Sequence, residues 1–178
     1  MNVYLLRHPM PDIPKGVCYG RLDVPLAPGW ESLISSKSLP AEIPDLVFSS
    51  PAQRCHRVAR HLHEFHGWPE AQLEPLLQEL DFGEWEGRPW EEIARSELDP
   101  WGADFVNVSA GGGESYLALS ERCRTWMKQI SKMEAETVFA ITHAGFIRAF
   151  LSLCQDISLD KSFHFEIEYL GLVQVNLY

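Results

Sequence analysis

Arg7 and His8 close the apolar run Val3-Tyr4-Leu5-Leu6, and prolines follow at positions 9, 11 and 14. The run reads as a buried strand that the prolines stop. A cation and an imidazole are thereby left at a strand end. Two further places match it. "TVFAIT" (137–142) is a second apolar run, and it ends in His143. Arg54 falls in the first turn of the helix expected after "DLVFSS" (45–50). Two histidines and two arginines at one sheet edge suit phosphoryl chemistry. Arginine stays charged and grips phosphate oxygens bidentately. Helix starts at 51–54 and 144–147 would add backbone donors and the positive end of a dipole. A histidine nucleophile must offer a neutral nitrogen, and neighbouring guanidinium groups push its pKa down. The cations that bind phosphate would thus also free the nucleophile.

These residues lie far apart in the chain, so the fold must bring them together. Strands alternating with helices predict an α/β fold, a three-layer α/β/α sandwich with a mostly parallel sheet. Ligands of such sheets sit beyond the C-terminal strand ends. Strands are expected at 3–6, 45–50, 73–80 and 137–142, with a long Pro/Gly-rich loop over 9–29. A short helix is expected in "GWESLISSKSL". A longer one opens on Ser50 as cap and Pro51 in the first turn, with Cys55, Val58, Ala59, Leu62 and Phe65 on its apolar face. "GRPWEEIARS" suggests another short helix, 97–113 reads as irregular, and Leu119, Cys123, Trp126 or Met127, and Ile130 mark a further helix. "HFEIEY", Leu170-Gly171 and "LVQVNLY" predict a terminal hairpin.

A chain of 178 residues, 46% of them hydrophobic, suits one domain over 1–178. The net charge of −10 falls mostly in residues 67–136, with no basic stripe. That composition argues against nucleic acid or an anionic membrane as partner. There is no 18-residue apolar run and no leader pattern at the N-terminus. The four cysteines, Cys18, Cys55, Cys123 and Cys154, are scattered without a CxxC pair. They read as reduced thiols in a cytoplasmic protein. No pattern sets an oligomeric state.

In order, "LLRHP", "SSPAQRC", "QELDFGEWEG" and "ITHAGFIR" resemble the four motifs of the histidine phosphatase superfamily, whose fold is the phosphoglycerate-mutase-like one. The resemblance covers nearly the whole chain. It implies a phosphomonoesterase in which His8 becomes phosphohistidine while Arg7, Arg54 and His143 hold the phosphoryl oxygens. Glu79 matches the family's proton donor, a role that asks for a carboxyl kept protonated near a dianion. No metal and no cofactor is implied, and the partner is a small-molecule phosphomonoester. The loop "PDIPKGVCYGRLDVPL", through its Cys-Tyr-Gly-x-x-Asp-x-Pro-Leu pattern, looks like that of the alpha-ribazole phosphatase branch. That branch points to alpha-ribazole 5′-phosphate in cobalamin nucleotide-loop assembly. Mutases of this fold are usually longer.

The chain departs from the family pattern in three places. Pro9 replaces the glycine after the nucleophile and lacks its amide donor. Ala144 replaces the glycine after the second histidine and is expected at the substrate. The mutases' asparagine after the first motif is absent, and Arg21 is the expected substitute. Two alternatives stay open: a broad-specificity phosphatase of the same fold, and a non-catalytic phospho-ligand binder, which Pro9 alone favours. Asp81 competes with Glu79 as the acid. The plainer readings are that Arg148 pairs with an acidic neighbour and that Trp85, Trp90 and Trp101 pack the core rather than stack a base. "GGGES" reads as a flexible lead-in to a helix. "HLHEFH" reads as an ordinary helix face, with His63 and His66 one turn apart and His61 pointing away.

Overall fold

The computed structural model describes residues 1–177. Alternation along the strands decides the architecture. In the strand Thr137–Thr142 (β4), Val138 and Ala140 pack into one apolar cluster, while Phe139 and Ile141 pack into a second on the opposite face. Leu5 and Leu6 divide in the same way on the strand Asn2–Arg7 (β1), and Phe48 and Val47 on Leu46–Ser49 (β2). A sheet apolar on both faces needs helices on both. Trp30–Ser35 (α1) and Gln53–His66 (α2) supply one layer. Tyr116–Ile130 (α4) and Ala144–Gln155 (α5) supply the other. Gln72–Leu73 (β3) and Leu172–Asn176 (β5) complete the sheet in the order β3-β2-β4-β1-β5, and only β5 runs antiparallel.

Register positions the site. Arg7 pairs with Thr142, and Ser49 with Ile141. The next residues, His8, His143 and Ser50, therefore leave three adjacent strands side by side at the C-terminal edge. One more ladder bond runs from the His8 amide to Thr142 O at 3.0 Å, and another from Ser50 to Ile141 O at 3.0 Å. Pro9 then ends β1.

Several expectations are corrected. The strand expected over 73–80 stops at Leu73, because Pro75 has no amide to give a ladder; a 3₁₀ turn over Pro75–Leu77 follows. "GRPWEEIARS" divides into a 3₁₀ turn, Trp90–Glu92, and the start of a helix, Arg95–Ala103 (α3), which replaces part of the irregular 97–113 stretch. "HFEIEY" forms no strand. A 3₁₀ turn, Leu159–His164, ends at the first residue of that stretch, 165–169 are irregular, and β5 pairs with the free edge of β1 instead. Tyr178, at the end of that expected hairpin, lies outside the described residues. Ser50 does not cap α2. Asp23, from the long loop, accepts the Gln53 amide at 2.8 Å in its place. Phe65, expected on the buried face of α2, is 72% exposed in its last turn.

Candidate active site

His8 is buried at the end of β1. Its Nδ1–H donates to Pro9 O at 2.6 Å, which leaves Nε2 without a proton. Burial first, then the Arg54 charge, lower its pKa to about 3 against an upward pull from the Pro9 carbonyl, with a lesser lowering by Arg7. The ring is thus neutral at physiological pH. Proline at position 9 removes an amide but keeps the carbonyl that orients the nucleophile.

The His143 ring lies 5.1 Å from that of His8. Its Nδ1 accepts from Arg54 Nη2 at 3.2 Å, so Nε2–H donates to Ser50 Oγ at 2.8 Å. Burial first, then Arg54 and His8, hold its pKa well below the usual histidine range. Ser50 was missed as a site residue. Its signal was its place one residue past β2, the same place His8 and His143 hold on β1 and β4.

Arg54 is fully buried in the first turn of α2 and donates to Gly20 O, and to Leu22 O at 2.9 Å. Arg7, at the end of β1, donates to Ile167 O at 2.6 Å beneath the Tyr169 ring, which lies 3.8 Å from its guanidinium carbon. The Tyr169 hydroxyl meets that of Tyr19 at 2.8 Å. Among the described residues neither arginine has a carboxylate within ion-pair distance, and the Nε of each is buried without a partner. A buried guanidinium without a counter-charge is costly. The buried Arg54 and the half-buried Arg7, with neutral imidazoles, make a site that an anion completes.

A cavity of about 430 Å³ opens on this edge and is lined by Arg7, His8, His143, Ala144, Gly145 and Glu79, among others. The Glu79 carboxylate accepts from its neighbour Leu80 N at 2.9 Å and from Gly145 N at 3.0 Å. Its backbone is pinned from behind by Arg122, which donates to Glu79 O at 3.0 Å while paired with Glu114. Asp81, the rival acid, lies outside the cavity lining; its Oδ1 accepts from Gly83 N at 2.9 Å. Arg21 is not brought to the cavity. Asp81 and Glu114 hold its guanidinium at 3.5 and 3.7 Å, so the two carboxylates claim the charge expected for substrate.

The far wall is aromatic. Phe82, Trp90, Trp101, Phe105, Tyr116 and Phe163 line the same cavity, with the Trp90 and Trp101 planes only 19° apart. The core-packing reading holds in full for Trp85, which is buried behind the other two, and in part for Trp90 and Trp101, which pack against the same core cluster while lining the cavity. Arg148 also lines the cavity. It has no carboxylate partner among the described residues, and its Nε donates to Phe165 O at 3.0 Å. The Gly111–Gly113 segment is no loose lead-in, since it packs tightly on the 81–83 turn while Ser115 caps α4. His61 turns toward His66, with ring centres 6.0 Å apart, and bonds Ser35 Oγ at 3.1 Å. Among the described residues no three His, Cys, Asp or Glu side chains are grouped to hold a metal, and no helix is long and apolar enough to cross a membrane.

Known proteins share this fold. The crystal structure of the alpha-ribazole phosphatase from Shigella flexneri superposes with a TM-score of 0.87 at 19% identity, covering 100% of this chain and 91% of that one. The metal-independent phosphoserine phosphatase of Arabidopsis thaliana is 31% identical over 74% of this chain and 58% of its own length. The adenosylcobalamin/alpha-ribazole phosphatase of Escherichia coli K12 is 23% identical over 70% of this chain and 63% of its own length. Residues 3–178 match the histidine phosphatase superfamily, branch 1. The chain belongs to that superfamily and is a phosphatase.

Proposed function

We propose that the protein is a metal-independent phosphomonoesterase working through phosphohistidine, with alpha-ribazole 5′-phosphate as its substrate. One observation carries the reaction: an unprotonated, buried His8 Nε2 beside two arginines that have no carboxylate. The phosphate takes the place of that missing counter-charge. Arg7, Arg54 and His143 hold its oxygens, with Ala144 at the N-terminus of α5 beside them. The lone pair on His8 Nε2 attacks phosphorus, and the ester P–O bond breaks. The leaving oxygen takes a proton from the Glu79 carboxyl. In the second half Glu79 takes a proton from water. The resulting hydroxide attacks phosphorus, the P–N bond breaks, and its electron pair returns to Nε2. Fixed guanidinium and amide donors stabilise the transferring group, so no metal is asked for.

Three observations support the substrate. The aromatic wall suits a leaving group that carries a planar base. The loop over 11–26 has the pattern of the alpha-ribazole branch. Two of the relatives described above are named for alpha-ribazole. The unpaired thiols, three of them buried, agree with a reducing, cytoplasmic setting.

A second reading, a broad phosphatase that accepts small carboxylate-bearing esters, is favoured by Arg148, a cation in the same wall. A phosphate-release assay with alpha-ribazole 5′-phosphate, phosphoserine and glycerol phosphate separates the two. The proposed substrate requires a clear preference for the first. Equal rates, or a preference for phosphoserine, select the second reading. His8→Ala must be inactive on all three. A folded His8→Ala protein with near wild-type turnover overturns the mechanism, and no release by wild type from any ester moves the reading to a non-catalytic phospho-ligand binder.

A further inference from the structure

Glu86 is an acidic residue outside the cavity lining, in a stretch rich in carboxylates. It is not a solvated surface group. Its Oε2 accepts from Gly20 N at 3.0 Å and Leu22 N at 2.5 Å, and its Oε1 accepts from Arg21 N at 2.7 Å and Phe82 N at 3.0 Å. One carboxylate thus takes three successive amides of the 20–22 loop and one amide of the aromatic wall. Convergent backbone N–H groups of this kind form a concave seat for an anion.

The carbonyls of the same loop do the opposite work. Gly20 O and Leu22 O both accept from the Arg54 guanidinium, and these with His143 are its hydrogen-bond partners. The loop is therefore clamped between an anion and a cation. Gly20 has no room for a side chain. A Cβ there would meet Leu80 O, and would lie 2.7 Å from the Phe82 ring and 3.0 Å from Glu86 Oε1. Loop, wall and carboxylate are packed together at Gly20.

We propose that Glu86 is a positioning residue for phosphate binding: by gathering the amides of residues 20–22 it sets the two carbonyls that aim Arg54. The inference rests on Arg54 as a phosphate ligand. Through the Phe82 amide the same carboxylate ties the leaving-group wall to the phosphoryl site.

The test is a double-mutant cycle read by the affinity for inorganic phosphate, taken as its inhibition constant against p-nitrophenyl phosphate and, for a variant without turnover, as its dissociation constant in a calorimetric titration. Glu86→Gln can accept at one oxygen only, so it loses about half the contacts. It is expected to raise the phosphate inhibition constant about tenfold. Added to Arg54→Ala, it should change that constant less than twofold, because the group it acts through is gone. Glu86→Asp, which keeps the charge, carries the same comparison if the amide variant does not fold. A lowered melting temperature with unchanged phosphate inhibition overturns the proposal, as do effects that multiply in the double variant. If Arg54→Ala itself binds phosphate like wild type, the reading of Arg54 falls, and the proposal with it.

Discussion

Gly145 and Glu79 are fitted to one another without spare room. The Gly145 amide donates to Glu79 Oε2, and a Cβ on Gly145 would run into Glu79 Oε1. The glycine in the first turn of α5, in the "HAGF" motif, is thus set by a carboxylate from a distant segment. Gly145→Ala is expected to push Glu79 out of line while α5, whose interior tolerates alanine well, stays folded. The loss should fall on kcat, by about 10² or more, the usual worth of a placed proton donor. Inhibition by inorganic phosphate should barely change. Steady-state kinetics on Gly145→Ala and Glu79→Gln check this. A Gly145→Ala enzyme with wild-type kcat would remove Glu79 from the acid role.

The two buried histidines make stability fall with acid. In the unfolded chain each titrates near 6.5, whereas the folded pKa of His8 is about 3 and that of His143 is also well below the ordinary value. Between those limits the unfolded state binds more protons. Stability is therefore fully present above pH 6.5 and is lost as pH falls toward 3, at up to ~1.4 kcal/mol per pH unit for each histidine. Urea midpoints between pH 7.5 and 5 should fall. The gap between wild type and His143→Asn should narrow over the same range. A gap that stays constant with pH would mean that His143 titrates normally.

Ser50 gives a third expectation. Its hydroxyl holds His143 Nε2, while Arg54 holds Nδ1. Ser50→Ala leaves that buried N–H only the weak acceptor Cys55 Sγ at 3.6 Å, at a cost of about 1–3 kcal/mol. We expect a drop in kcat/KM of about tenfold or more with the fold intact. Ser50→Thr, which keeps the hydroxyl, should recover much of it. Equal kinetics for the alanine variant and wild type would show that His143 needs no such tether.

The strand ends were legible because each is written locally. An apolar run stops, a histidine follows, and proline or a helix start comes next, as at His8 and His143. Parallel register then does the rest without any further sequence signal. What was not legible depends on partners far along the chain. Arg21, expected at the substrate, is claimed by Asp81 and Glu114, and nothing local to Glu86 marks the 20–22 loop as its partner. The expected hairpin failed for a similar reason. The edge of β1 offers β5 a ladder from Leu172 to Asn176, and "HFEIEY" has no say in that choice. Ser50 was read as a helix cap because serine before proline is a common cap, but Asp23 of the long loop fills that place.

The aromatic wall supplies the last prediction. Trp101 stands on α3, in a stretch where sequence alone gave no pattern, yet it lies nearly parallel to Trp90 across the cavity lining. Stacking of a base on such a ring is worth about 1–3 kcal/mol. For alpha-ribazole 5′-phosphate, Trp101→Ala should therefore lower kcat/KM by about tenfold or more. For glycerol phosphate, which has no ring, the change should stay within about threefold. The ratio of the two rates cancels any general loss of folded enzyme, so the comparison reads the wall itself. If both substrates lose equally, Trp101 supports the fold and does not select the leaving group, and the case for a planar base then rests on the 11–26 loop and the relatives named for alpha-ribazole.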